Sequence, residues 1–171
     1  MSTENIAPHI EINTTVLEAL VKATKIGLQM TGVNPEAVGC SKFPSSKHGI
    51  SVLVGLMGDW TGTLTMNMSE EVAFLLTEGL LGEKPDGFTE EILDAVGEVG
   101  NMISGSFKDA LEPTEISLNG ISCPAIVMGP SYEFYYASGF LTVSVEFEVD
   151  EISVTKMASR YFTVSVSLMK R

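Results

Sequence analysis

Two acids and an amide, Asp94, Glu98 and Asn101, are spaced so that they share one face of a predicted helix. Each helical residue advances about 100° around the axis, which puts Glu98 at about 40° and Asn101 at about −20° from Asp94. A carboxylate can pair with a basic group, and an amide can both donate and accept hydrogen bonds. These side chains could therefore bind a polar partner, or they could be the ordinary solvated face of an amphipathic helix.

The apolar residues of the same segment lie on the opposite side of the predicted helix. They cluster between about 140° and 220° from Asp94. The members of this stripe are Ile92, Val96, Val99, Ile103 and Phe107. The face that carries the acids and the amide is thus not the face that packs on the core.

Glycines interrupt this helix at Gly97, Gly100 and Gly105. Each interior glycine costs a helix about 1 kcal/mol relative to alanine. Gly97 and Gly105 fall on or beside the polar face, where the missing side chains would let another molecule approach Glu98 and Asn101. The alternative is that the glycines let a neighbouring strand or helix pack closely.

Pro124 follows Asn101 after twenty-two intervening residues. The whole pattern resembles the signature of the CheC/CheX/FliY phosphatases of bacterial chemotaxis: Asp or Ser, three residues, Glu, two residues, Asn, twenty-two residues, Pro. Asp94, Glu98, Asn101 and Pro124 match every position, and the stretch GEVGNMISGSF is similar to the motif helix of that family. The likeness is clearest over about residues 50–128.

The motif occurs once in this chain. Its nearest counterpart in the first predicted helix, Thr14, Glu18 and Val21, has a valine where the asparagine should be. One site per chain is similar to the CheX branch, whose members are homodimers built through the sheet. The resemblance therefore implies a homodimer here as well.

The resemblance also implies a reaction, the hydrolysis of the aspartyl phosphate of a response regulator such as CheY, in chemotaxis or another two-component pathway. Asn101 would orient the attacking water, since a neutral amide adds no negative charge beside the phosphoryl group. Glu98 would pair with a basic residue of the regulator, most simply its active-site lysine. Asp94 would contact the regulator or stabilise the helix.

The other members of the motif region have supporting roles in this interpretation. Pro124 has a fixed φ and no backbone donor, and with Gly97 and Gly105 it is expected to be structural near the site. No cofactor and no metal site are expected in this chain. The Mg²⁺ that phosphoryl chemistry needs would be carried by the regulator.

A second hypothesis belongs to a different functional class. The chain could be a non-catalytic dimeric adaptor that binds a response regulator or a component of the flagellar switch, because a shared fold does not by itself fix function. An adaptor would bind the regulator without changing the lifetime of its phosphate.

Composition narrows the choice of partners. The 171 residues include 10 Lys and Arg against 22 Asp and Glu, a net charge of −12, which disfavours nucleic acid. No apolar run reaches the roughly 18 residues that span a bilayer, so no membrane partner is expected. The start, MSTENIAPHIEI, lacks the basic and apolar stretches of a secretory signal. We therefore expect a cytoplasmic protein in which Cys40 and Cys123 stay reduced.

The elements that position the motif are predicted from periodicity and from capping residues. We expect one α+β domain over residues 1–171, with long helices packed on an antiparallel sheet and a polar start over 1–13. Predicted helices begin at Thr14 or Thr15 and end near Met30, run from Ser69 to about Leu81, and run from Thr89 to about Leu111. Predicted strands cover 49–57, 61–68, about 115–119, 125–129, 141–149 and 162–168, with a possible short strand within 31–48.

Overall fold

The computed structural model describes residues 11–44, 46–129 and 138–171. Its helices are α1 (Thr14–Gly27), α2 (Glu70–Leu81) and α3 (Glu90–Leu111), with 3₁₀ segments at Gln29–Thr31 and Val154–Arg160. Its strands are β1 (Glu36–Ser41), β2 (Ile50–Gly58), β3 (Trp60–Met68), β4 (Leu118–Ile121), β5 (Ala125–Met128), β6 (Leu141–Glu148) and β7 (Tyr161–Lys170).

All the strands found in the described residues belong to one antiparallel sheet. The order across the sheet is β1-β6-β7-β3-β2-β4, and β5 also pairs with β2. β4 and β5 lie end to end along the same side of β2. β1 therefore forms one edge of the sheet, and β4 with β5 forms the other.

The helices cover one face of this sheet. α1 packs against α3 and touches β6 and β7, whereas α3 lies over β2, β4 and β5. Alternate residues of the strands face the helices, as period-two alternation requires. In the middle of this core, Phe107 of α3 and Phe147 and Phe162 of the sheet are completely buried. The rings of Phe147 and Phe162 stack with their centroids 5.2 Å apart.

The predicted fold class, helices on an antiparallel sheet, is confirmed. α2 begins after Ser69, whose Oγ accepts the N–H of Val72 at 3.2 Å. α3 begins after Thr89 and ends at Leu111, two residues before Pro113, as predicted. Thr89 occupies the cap position, but its side chain accepts no capping hydrogen bond.

Three local details differ from the predictions. α1 is capped by Asn13, not by a threonine, and Oδ1 of Asn13 accepts the N–H of Val16 at 2.9 Å. α1 ends at Gly27, and a 3₁₀ turn replaces its expected last turn. The 3₁₀ segment Val154–Arg160 was not predicted; the buried Arg160 at its end forms an ion pair with Glu148 at 3.0 Å. Ion pairing across a hairpin has no periodic signature in the sequence.

Candidate functional site

The motif side chains lie on the outer face of α3, as the helical angles predicted. Asp94 and Glu98 are exposed and Asn101 is half-buried, whereas the apolar stripe on the opposite face is completely buried. Among the described residues, the side chains of these three make no hydrogen bond or ion pair with one another or with a neighbour. Their polar atoms are therefore available to another molecule.

The face that carries the motif is acidic. Glu90 and Glu91 occupy the first turn of α3, where negative charge is favoured by the helix dipole. Lys108, toward the other end, is held by the adjacent Asp109, with Nζ 2.8 Å from Oδ1. This hydrogen bond and the charge of Asp109 raise the pKa of Lys108, which stays cationic. The surface around Glu98 is thus suited to a partner with basic groups.

Close backbone contacts fix α3 above the sheet and beside α1. A Cβ added at Gly100 would lie 2.6 Å from Cγ1 of Val52, so α3 approaches β2 more closely than an alanine would allow. A Cβ added at Gly27 of α1 would lie 2.6 Å from Cγ1 of Ile103. The two glycines let both neighbours reach the helix that carries the motif.

Gly97 and Gly105 have different surroundings. Gly97 is buried, and a Cβ there would lie 3.4 Å from Cγ of Pro124 and 3.9 Å from Cδ1 of Ile126. The expectation that Gly97 leaves space for a partner is wrong, because Pro124 and Ile126 cover it; a Cβ there would still make only ordinary van der Waals contacts. A Cβ added at Gly105 would meet nothing within 4 Å, so open space remains beside that residue.

Pro124 belongs to a break between β4 and β5. Ile121 pairs with Leu56 and Ala125 pairs with Leu53, so three residues, 122–124, oppose two residues of β2. This is a β-bulge, a position that tolerates a proline because the ladder is already interrupted there. The bulge directs the ring of Pro124 toward Gly97, one residue before Glu98, and so joins the distant end of the motif to the helix.

Sequence reasoning missed two residues that hold this bulge, Ser122 and Gly55. The N–H of Ser122 donates to the carbonyl of Gly55 at 2.9 Å, and the N–H of Gly55 donates to Oγ of Ser122 at 2.8 Å. The available signal was Pro124 itself, since a proline within a strand-like stretch indicates an edge or a bulge.

The other candidate features lie apart from α3. In α1, Glu18 is exposed and Val21 is half-buried, and Val21 lines a hollow of about 850 Å³ between α1 and β1. A second hollow, of about 890 Å³, lies at the start of α1. Within residues 11–44, 46–129 and 138–171, no group of three or more His, Cys, Asp or Glu side chains is arranged to hold a metal ion. The motif residues thus form an open surface on α3.

A family model and a curated relative that match this sequence both carry the name CheX. The family model described as "Chemotaxis phosphatase CheX" matches residues 50–148. A curated relative from Thermotoga maritima, "CheY-P phosphatase CheX", is 27% identical over 105 residues, which is 61% of this chain and 65% of the relative. The match thus spans slightly less than two thirds of that relative's length.

Solved structures share the fold over nearly the whole chain. The chemotaxis protein CheX from Desulfovibrio desulfuricans has a TM-score of 0.75 and 24% identity, covering 90% of this chain and 98% of that one. The CheX of the CheX-CheY-BeF3-Mg complex from Borrelia burgdorferi has a TM-score of 0.71 and 25% identity, covering 93% and 99%. No helix in the described part of the chain is long and apolar enough to cross a membrane.

Proposed function

The chain belongs to the chemotaxis phosphatase CheX family, and from this premise we propose that it hydrolyses the aspartyl phosphate of a CheY-like response regulator. The observation that carries the proposal is that Glu98 and Asn101 share the outer face of α3, while Pro124, the distant end of the motif, lies 3.4 Å from the Cβ position of the buried Gly97, one residue before Glu98. The Borrelia burgdorferi relative, crystallised as a CheX-CheY complex, supports a CheY-like partner.

The chemistry suits a site without a nucleophile of its own. An acyl phosphate is already activated, so its hydrolysis needs a water molecule held in line with the bond between phosphorus and the aspartyl oxygen. Water attacks phosphorus, that bond breaks, and inorganic phosphate and a free carboxylate result. Asn101 would orient the water, because the oxygen of its neutral amide accepts a hydrogen bond from the water without repelling the phosphoryl oxygens. Asn101 is half-buried, and its side-chain amide makes no hydrogen bond to another described residue, so it is available to the water.

Glu98 would seat the regulator. Its exposed carboxylate has no partner among the described residues and lies on an acidic helix face. A basic residue of the regulator would lose water on docking, which makes the ion pair more selective than a surface pair. Asp94, one turn earlier, would add to the same contact. We propose that Mg²⁺ arrives bound to the regulator; the crystallised CheX-CheY complex from Borrelia burgdorferi contains Mg.

The test is phosphate release from a CheY-like regulator that has been phosphorylated with Mg²⁺ and acetyl phosphate and then freed of the donor. Substoichiometric protein should accelerate the release through many turnovers. Measurable binding without acceleration would contradict the phosphatase and favour the adaptor hypothesis. A regulator whose phosphorylated aspartate is replaced by asparagine controls for contaminating phosphate.

We further propose that the protein is a homodimer joined through the free edge of β1. All six residues of β1 are exposed, and no strand of the described residues pairs with its outer edge. The hollow between α1 and β1 is lined mainly by apolar side chains, and its charged lining residues are Glu18, Lys22 and Lys25. Two-fold symmetry would bring Glu18 of one copy toward the partner's Lys25 and the reverse, which is the self-complementarity that such an interface requires.

The dimer is tested by measuring molar mass in solution by light scattering. Val38→Asp, on β1, should convert the dimer into a monomer, because Val38 is 48% exposed at the proposed interface. Val154→Asp is the matched control: Val154 is 67% exposed but lies in the 3₁₀ segment, and its replacement should leave the mass unchanged. A monomeric wild type, or a Val38→Asp dimer, would refute the proposed interface.

The cytoplasm is the compartment that we propose for this activity. Cys40 and Cys123 are exposed free thiols, and such thiols persist where the surroundings are reducing.

A further inference from the structure

Three hydrogen bonds made by Ser122 hold the bulge between β4 and β5. The backbone of Ser122 donates to the carbonyl of Gly55 at 2.9 Å, and Gly55 donates back to Oγ of Ser122 at 2.8 Å. The hydroxyl of Ser122 in turn donates to the carbonyl of Cys123 at 2.8 Å. The Ser122 hydroxyl thus links β2 to the residue before Pro124.

Gly55 is part of the same arrangement. A Cβ added at Gly55 would lie 3.1 Å from Oγ and 3.3 Å from Cβ of Ser122, a contact tighter than most real ones. The close approach of β2 to Ser122 therefore depends on glycine at position 55. A larger residue there would push the bulge away from β2.

The bulge supplies a lateral support for α3. Val52 supports the helix from the sheet at Gly100, and α1 supports it at Ile103. On the side facing the free edge of the sheet, Pro124 and Ile126 contact it at Gly97. If Pro124 withdrew, α3 could tilt at Gly97, and the tilt would move Glu98 and Asn101, which lie within the next turn.

We propose that Ser122 is a positioning residue for the phosphatase site. It locks the bulge against β2, the locked bulge keeps Pro124 beside Gly97, and this neighbour limits how far α3 can tilt and so where it holds Glu98 and Asn101. The inference rests on the proposed function, since its catalytic consequence exists only if the α3 face hydrolyses the regulator phosphate. Its structural part, the dependence of α3 on Ser122, can be measured without activity.

The direct test is Ser122→Ala, assayed on a phosphorylated CheY-like regulator. We expect kcat to fall about tenfold, because small displacements of positioning groups cost rate, with KM within about twofold of wild type. Ser122→Thr keeps a hydroxyl and should recover most of kcat. Gly55→Ala, which displaces the bulge from the other side, should lower kcat in the same way.

Ser69→Ala is the matched control. Ser69 also accepts a backbone N–H, from Val72 at 3.2 Å, and donates to a carbonyl, of Ser159 at 2.9 Å, but it lies at the start of α2. It should lower stability without changing kcat. If Ser122→Ala changes kcat no more than Ser69→Ala does, Ser122 is merely structural and the proposal is overturned.

Amide hydrogen exchange separates this proposal from the proposed function. Residues 97–101 should exchange faster in Ser122→Ala than in wild type or Ser69→Ala, because the lateral support of α3 is weakened. If wild type does not accelerate phosphate release, the proposed function fails, and unchanged exchange would then also overturn the positioning role. Faster exchange in an inactive protein would retain only the structural part.

Discussion

At the residue scale, the motif divides the work between side chains of different exposure. Glu98 is exposed and can reach a partner, whereas Asn101 is half-buried. A charged group is suited to recognition at an interface, and a neutral amide is suited to holding water beside a phosphoryl group. In the proposed mechanism, Glu98 therefore contributes chiefly to binding of the regulator, and Asn101 contributes chiefly to the chemical step.

This division predicts the behaviour of Glu98→Gln, which removes the charge and keeps the shape. Affinity for the phosphorylated regulator should fall about tenfold at low salt, with less effect at high salt, where charges are screened. The dissociation constant measured at two ionic strengths checks this, with Glu151→Gln, an exposed acid in the turn after β6, as the control. An equal loss at both ionic strengths would argue against an ion pair.

At the element scale, α3 is a helix whose glycines have separate structural causes. Gly100 admits Val52 of β2 and Gly97 admits Pro124, whereas Gly105 faces open space. Gly100 exchanges helix propensity for close packing, whereas a Cβ at Gly97 would meet Pro124 at an ordinary van der Waals distance. A Cβ at Gly105 would meet no described atom within 4 Å, so a partner could approach the backbone of α3 in the open patch beside the motif face.

Replacing different glycines of α3 with alanine should therefore change the free energy of unfolding in opposite directions. Gly100→Ala should lower the free energy of unfolding by about 1–3 kcal/mol, because its Cβ would collide with Val52. Gly105→Ala should raise it by about 0.5–1 kcal/mol through helix propensity alone. Urea unfolding of both variants measures the difference, and a stabilised Gly100→Ala would contradict the packing described.

The sequence alone predicted those helices and strands whose pattern depends on neighbouring residues. The apolar stripe of α3 follows the period of 3.6 residues, and Ser69 starts α2 as its capping chemistry predicted. β6 and β7 alternate with period two and lie where that alternation placed them. These features depend only on neighbouring residues, which is why periodicity and capping could find them.

Contacts between distant segments could not be read in this way. A helical angle places Gly97 near the polar face, but it cannot say that Pro124 from another strand covers it. The bulge at 122–124 exists only as a difference in register between β2 and its two partners, β4 and β5. The partnership of Ser122 with Gly55 joins residues 67 positions apart, and no local pattern reports it.

At the scale of the whole molecule, the sheet separates the two proposed interfaces. β1 is at one end of the strand order, and β4 with β5 is at the other. α3 lies over the second end, and α1 lies toward the first. A dimer joined through β1 would therefore leave both motif faces free, and the net charge of −12 would favour approach of a partner with basic groups.

The stability of the whole molecule should also depend on one half-buried histidine, His48. Burial, together with the charge of Lys47, lowers the pKa of His48 below its usual value of 6.5. The unfolded chain then binds a proton more readily than the folded one, so the free energy of unfolding should fall as pH decreases through that value. Urea unfolding at about pH 7.5 and pH 5.5 checks this.

The comparison variant is His48→Gln. In this variant, the part of the decrease in the free energy of unfolding that comes from protonation of His48 should be absent. His9→Gln serves as the control for the chain's other histidine. A pH dependence identical in wild type and His48→Gln would exclude His48 as its source.

The central claim is that Asn101 carries the hydrolysis of a regulator's aspartyl phosphate, and the most direct measurement is kcat for phosphate release with Asn101→Ala. We predict a loss of about 10²-fold or more with regulator affinity retained, the scale expected for removing one positioning or stabilising group. Asn34→Ala, which alters an exposed asparagine in the turn before β1, should be fully active. A folded Asn101→Ala protein that released phosphate at the wild-type rate would contradict the mechanism.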